Sequence, residues 1–208
     1  MPEFTIILPH KRNLGNDAAM RICLDMLFAN TRHDFHLLID AAEDKPLYER
    51  IHKLALQATT ECVVYTASDT FHAPGWDVPM LEAFAPDRLV FGVVVEPGMI
   101  GVHEGNIYGE FGRRPEQFDR AAFEEWAASA YPNVPAGYGF PAPMCFGREL
   151  YLQFDSDTID KPDFYLRDDQ IIQHMLDANA VTRVRVPSYF YHLQRWSDHV
   201  EQARSERG

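Results

Sequence analysis

The sequence predicts a single α/β domain in which a mostly parallel central sheet carries helices on its faces. Three observations carry that prediction. The chain has 208 residues with 46% hydrophobic and 24% charged content, the size and balance of one packed core. Its opening third alternates three short apolar runs with two stretches of helical period, and neighbouring parallel strands need crossovers of that kind. No stretch reaches the roughly 18 consecutive apolar residues of a bilayer span.

The first run is Phe4-Thr5-Ile6-Ile7-Leu8, rich in strand formers and followed by Pro9, as for a buried strand feeding a loop. From Asn16 or Asp17, either of which suits an N-cap, Ala18, Ile22, Cys23, Met26 and Leu27 recur at helical spacing to about Asn30. Phe35 to Ile39 is the second run and ends at Asp40, and a helical pattern follows from Pro46 through Leu47, Ile51, Leu54 and Ala55 to about Ala58. Cys62-Val63-Val64-Tyr65 is the third run, ending in Thr66-Ala67-Ser68-Asp69. Ligands of such a sheet sit beyond the strands' C-terminal ends, where Asp40 and Asp69 both fall.

Pro79 to Ala85 reads as a short helix and Leu89 to Val95 as the most continuous apolar strand. Between Glu96 and Pro143 glycines, prolines and aromatics accumulate around one helical stretch from about Pro115 to Ala130, which suits long functional loops and equally a tolerated insertion. Ala142 to Phe146 reads as a strand, Glu149 to Phe154 as a short helix, and Asp168 to Ala178 as a helix burying Ile171, Ile172, Met175 and Leu176. Val184 to Tyr191 is the last strand, and Pro187 inside it predicts a sheet edge. The expected layout is one domain over 1–208, with one half to about 95, a second over about 96–195, and a charged tail over 196–208.

Nineteen basic and 31 acidic side chains give a formal charge of -12, which repels a phosphate backbone and disfavours long nucleic acid. A small anionic ligand stays open, since backbone N–H groups, a few cations and a divalent metal can hold one. The start, Met1-Pro2-Glu3-Phe4, lacks the basic stretch and apolar core of a secretory signal, so a cytoplasmic location is expected. Cys23, Cys62 and Cys145 are widely spaced in apolar surroundings, the pattern of buried reduced thiols rather than a disulfide framework or zinc site.

Asp69, the pair Asp168-Asp169 and His192 each follow a strand or open a helix. Singly, each also suits a turn, a cap or an ordinary histidine. Hard divalent ions take oxygen ligands and often only one or two protein groups, and an Asp with a His at one sheet edge suits Mn²⁺.

In order along the chain, these pieces resemble glycosyltransferase family 2, which has the GT-A fold. Val63 to Phe71, followed by Pro74-Gly75-Trp76-Asp77, resembles that family's metal-binding Asp-x-Asp segment, with Ala67 where the first Asp stands and Asp69 as the last. Phe4 to Pro9 and Leu37-Leu38-Ile39-Asp40 resemble its first two strands. Phe154-Asp155 and Tyr165 to Ile172 resemble the stretch ending in a Glu-Asp pair, here Asp168-Asp169, and Val186 to His192 resembles the strand ending in a metal-ligand histidine. The opening loop His10-Lys11-Arg12-Asn13 differs from the family's usual Thr-Tyr-Asn.

The resemblance implies a metal-dependent, inverting transfer of a sugar from a nucleotide sugar, UDP-linked in preference, to an acceptor hydroxyl. Asp69 and His192 would hold Mn²⁺ or Mg²⁺, with Pro9, Lys11, Arg12, Asp40, Ser68 and Asp69 around the nucleotide. Asp169 would be the base that takes the acceptor proton, with Asp168 second; two acids opening a helix are stabilised as anions by its dipole. Trp76, Tyr138 and Arg113 are acceptor-side candidates, together with Tyr108, Phe111, Trp126 and Phe140 for stacking. Two other readings remain: a nucleotidyltransferase with a related sheet, and a non-catalytic sugar-nucleotide or carbohydrate-binding protein of the same fold. The sequence leaves the oligomeric state open.

Overall fold

The computed structural model describes residues 2–10, 14–41, 47–98, 105–135, 143–153 and 181–193. Along the chain these form β1 (Phe4–Pro9), α1 (Leu14–Asn30), β2 (Phe35–Asp40), α2 (Leu47–Gln57), β3 (Cys62–Tyr65), β4 (Thr70–His72), α3 (Asp77–Ala83) and β5 (Arg88–Glu96). The two-residue β6 (Ile107–Tyr108), α4 (Arg120–Ala130), β7 (Met144–Gly147), α5 (Arg148–Gln153) and β8 (Thr182–His192) complete them. The stretch read as one helix from Pro115 is a 3₁₀ turn at Pro115–Gln117 and then α4, because the side chain of Asp119 caps Ala122 N–H and starts the helix afresh.

Among the described residues the strands form one sheet in the order β2-β1-β3-β7-β5-β8-β4, with β6 beside the end of β5. β1, β2, β3, β5, β6 and β8 run in one direction, while β7 and β4 run against it. The sheet is therefore α/β and mostly parallel in direction, with β7 inserted antiparallel at its centre. The ends of β1, β2, β3, β5 and β8 all come out on one edge.

Alternation along the strands divides the core. Ile7, Val63, Tyr65, Phe91, Met144 and Phe146 pack with Ile51, Leu54 and Ala55 of α2 and Tyr151 of α5. Phe4, Ile6 and Val64 pack with Leu27 of α1 and Trp76 and Met80 at α3. An isolated helix below about 12–15 residues is marginal in water, so α2 depends on burying Ile51 and Leu54, at about 1.5–3 kcal/mol each. All three cysteines are buried free thiols, with Cys62 and Cys145 Sγ 3.0 Å apart across β3 and β7.

The expectation that Pro187 marks an edge holds only locally: β4 pairs with Phe190 to His192 and puts that end of β8 inside the sheet, whereas among the described residues the stretch around Pro187 lies beside β5 alone. Its pairing with β5 jumps from Phe91↔Arg185 to Val93↔Tyr189, so Val186, Pro187 and Ser188 bulge opposite Gly92 and the missing proline N–H falls where the ladder is already broken. Gly92 permits this, because a Cβ there would collide with the Ser188 carbonyl and the Phe190 ring. The three-residue β4 carried no sequence signal; it forms by pairing with β8 from Thr70↔His192 to His72↔Phe190.

Candidate functional site

Asp69 lies in the turn between β3 and β4, closed by Thr70 N–H to the Ala67 carbonyl at 3.2 Å. His192 ends β8 and is the ladder partner of Thr70. The Leu193 N–H donates to the Asp69 carbonyl at 3.1 Å, which ties the two segments together. His192 Nε2 then stands 3.7 Å from Asp69 Oδ2, with the two side chains 20% and 25% exposed. The pair predicted from sequence to share a site is thus brought together, partly open, at the C-terminal edge. Beneath it, the Cys23 thiol donates to the Ala67 carbonyl at 3.7 Å; burial, and then the Asp69 charge, push that thiol's pKa up, so it is held as an unreactive S–H.

A third residue completes the group. Glu96 ends β5, is fully buried, and places Oε1 3.2 Å from His192 Nδ1. Register explains the contact, since Val95 pairs with Tyr191 in the parallel ladder and the next residues on each strand are neighbours.

Two donors each about 2.1 Å from one ion stand between about 3 and 4.2 Å apart, depending on the angle at the ion. The 3.7 Å between Asp69 Oδ2 and His192 Nε2 lies in that window. A carboxylate with an imidazole also suits Mn²⁺ or Mg²⁺ sites that keep positions for substrate oxygens and water. No group of three or more His, Cys, Asp or Glu among the described residues is arranged to hold a metal, so this is a two-ligand edge rather than a closed cage.

Of the residues expected around a nucleotide, Pro9 is buried at the end of β1 opposite Asp40. Asp40 is itself buried, with Lys53 Nζ at 2.8 Å and Arg50 Nε at 3.9 Å. Its carboxylate is held by α2 rather than standing open. Arg50 also donates to the carbonyls of His10 and Asp40, and His10 Nε2 lies 2.8 Å from Asp17. Sequence reasoning passed over His10 and Arg50, although a basic residue one turn into the helix after Asp40 was a readable signal. Ser68 is buried beside Asp69. Lys11, Arg12, Tyr138, Phe140, Asp155, Asp168 and Asp169 lie outside the described residues, as do the helix expected from Asp168 and the tail.

The acceptor expectation changes at Trp76. It is 1% exposed, its ring meets Phe4, His72 and Phe190, and Nε1 donates to Thr31 Oγ1 at 3.0 Å. No ring face is left for a sugar, which makes it a core residue. Trp126 and Phe111 pack on each other and on Phe123. Arg113 is exposed but paired with Glu110 at 2.7 Å. Tyr108 remains an exposed aromatic at this edge: it is 60% exposed, pairs with Glu96 in the ladder, and donates to Glu110 Oε2 at 3.0 Å. Arg185 donates to the carbonyls of Gly105, Pro135 and Gly92, tying together the chain on either side of this face.

A cleft of about 400 Å³ lies elsewhere, lined by Arg32, Pro74, Tyr131, Pro187 and Tyr189 among others. Its acid, Glu124, is engaged by Arg120 and Asn30, and neither Asp69, Glu96 nor His192 lines it. The Asp69–His192 pair at the sheet edge and this cleft are therefore separate places on the molecule.

No family model and no curated protein matches the sequence. Solved structures match the fold. GalNAc-T7, in a structure with UDP, GalNAc and Mn²⁺, aligns with a TM-score of 0.51 at 9% identity over 92% of this chain, which spans 43% of GalNAc-T7. Glucosyl-3-phosphoglycerate synthase from Mycobacterium tuberculosis, with Mn²⁺, UDP and glucosyl-3-phosphoglycerate, aligns at 0.49 with 14% identity, over 96% of this chain and 75% of its own. 4-diphosphocytidyl-2C-methyl-D-erythritol synthase from Anaerococcus prevotii aligns at 0.46 with 10% identity and 89% of each chain covered. At these identities the likeness is one of fold, and the fold is GT-A-like.

Proposed function

We propose that this GT-A-like chain is a metal-dependent glycosyltransferase that moves a sugar from a nucleoside-diphosphate sugar, UDP-linked in preference, to an acceptor hydroxyl with inversion. The observation that carries the reading is the Asp69–His192 pair, 3.7 Å apart at the C-terminal edge of the sheet. Backbone pairing of β4 with β8 brings the two segments together, and the side chains it sets side by side are an oxygen and a nitrogen donor, the kind of pair a divalent-ion site with open positions needs.

Asp69 and His192 would hold the cation, Mn²⁺ or Mg²⁺, whose charge supplies Lewis-acid stabilisation of a diphosphate leaving group. The rest falls to the chain's own residues. Pro9, Ser68 and the buried Asp40 would shape the nucleotide side, with Lys11 and Arg12 of the opening loop as cations toward the phosphates. Asp169, with Asp168 second, would accept the acceptor's proton as its oxygen attacks; that assignment rests on their place in the sequence. Tyr108, exposed beside Glu96, offers a ring face to the acceptor. The residues to about 95 would thus serve the donor and those over about 96–195 the acceptor.

The test is a panel of nucleotide sugars and nucleoside triphosphates scored by thermal shift with Mn²⁺, since a ligand bound to the native state raises Tm by mass action, followed by product analysis. Release of UDP or another nucleoside diphosphate from a nucleotide sugar supports the reading. Release of pyrophosphate from a triphosphate makes the protein a nucleotidyltransferase, and binding of a nucleotide sugar without turnover makes it a binding protein. A fully buried carboxylate held against the candidate metal histidine favours a working metal edge over a vestigial one.

A further inference from the structure

Glu96 is the one acidic side chain among the described residues of this edge that no solvent reaches. A carboxylate buried without partners costs several kcal/mol or gives up its charge. Here its Oε1 lies 3.2 Å from His192 Nδ1.

The imidazole of His192 faces a carboxylate on each side, and the two distances decide which one it bonds. Nδ1 to Glu96 is within hydrogen-bonding reach at 3.2 Å, whereas Nε2 to Asp69, at 3.7 Å, is beyond it. A neutral imidazole carries one N–H and one lone pair. With the N–H committed to Glu96, the lone pair is on Nε2, directed to the side where Asp69 stands.

We infer that Glu96 is a positioning residue: it fixes His192 in the Nδ1–H tautomer and so presents the Nε2 lone pair, beside Asp69, to a divalent cation. This rests on the proposed metal-dependent reading for the identity of the ligand, but the tautomer itself does not. A metal-ligating histidine is typically held by an acceptor on its other nitrogen, and removing that acceptor weakens metal affinity about 10- to 100-fold. Glu96 reaches this position because β5 and β8 are parallel and in register at Val95↔Tyr191. Tyr108 is its ladder partner on the other side.

The experiment has two readings on the metal-free protein and its Glu96→Gln variant. Long-range ¹H–¹⁵N correlation of the His192 ring, at a pH where imidazole is neutral, reports which nitrogen bears the proton. Wild type should show Nδ1–H, and Glu96→Gln, whose amide can donate as well as accept, should show a mixed or Nε2–H ring. Titration with MnCl₂ alone, followed by the electron paramagnetic resonance signal of free Mn²⁺, should give about 10- to 100-fold weaker binding in the variant. An Nε2–H ring in wild type overturns the proposal, and so does a variant with unchanged tautomer or unchanged Mn²⁺ affinity. The wild-type tautomer is read without any substitution, so a variant that fails to fold does not shield the claim. An Nδ1–H wild-type ring that binds no Mn²⁺ would instead overturn the metal-dependent reading and the cation part of this inference, leaving the tautomer assignment in place.

Discussion

Asp69 Oδ2 stands 3.7 Å from His192 Nε2, and the backbone bond from Leu193 N–H to the Asp69 carbonyl holds their two segments together beneath the side chains. Because that tether uses main-chain atoms, neither side chain is needed for the local fold. Asp69→Ala and His192→Ala should each weaken Mn²⁺-dependent UDP binding by about tenfold or more, the scale on which even outer ligand contacts count, with Tm in the absence of metal within a few degrees of wild type. UDP titration with MnCl₂ and a thermal melt of each variant check both halves. Wild-type UDP affinity in both variants would remove the pair from the site.

Binding and chemistry should separate at Asp169. Asp169→Asn keeps the shape and removes the proton acceptor, so kcat should fall by about 10²- to 10⁴-fold while donor affinity changes little. Asp168→Asn should do less. Steady-state kinetics with a working donor and acceptor decide it: the reverse ranking exchanges the two roles, and near-normal turnover in both variants excludes this pair as the base.

His72 should give the native state a pH dependence of its own. It is fully buried, and burial lowers its pKa from 6.5 to about 3. Below pH 6.5 the unfolded chain takes up a proton that the folded chain does not, so this contribution is present above 6.5 and is lost as pH falls toward about 3. The slope over that interval approaches about 1.4 kcal/mol per pH unit. Urea unfolding from pH 7 to 4 should show a shallower loss in His72→Gln than in wild type, and identical slopes would contradict the assignment.

Gly92 should tolerate no side chain. A Cβ at this position would strike the Ser188 carbonyl and the Phe190 ring in the bulge, and forced overpacking costs about 1–3 kcal/mol. Gly92→Ala should lower unfolding stability by that amount in urea, whereas a loss under about 0.5 kcal/mol would mean that the bulge relaxes freely.

The frame was legible where one physical signal stood alone. β1, β2 and β3 are apolar runs alternating with 3.6-residue periodicity, and their order placed Asp40 and Asp69 at one edge. The misreadings have local causes. Proline removes a donor from a strand, and at Pro187 that loss falls in a bulge opposite Gly92, but three residues on β8 gains β4 as a second neighbour, which the proline did not signal. An aromatic beside a motif looks the same in sequence whether it faces a ligand or the core, and Trp76 faces the core. Glu96 was missed because a lone acid ending an apolar strand belongs to no motif; its role depends on the register with β8, which a single sequence does not display.

The most direct test of the account is calorimetric titration of the wild-type protein with UDP in MnCl₂ and again in EDTA. A site built on Asp69 and His192 predicts saturable binding with Mn²⁺ that weakens by about tenfold or more when the metal is removed, as expected when a dominant local charge is lost. Equal UDP affinity in MnCl₂ and EDTA, or no UDP binding in either, would contradict a metal-dependent nucleotide site.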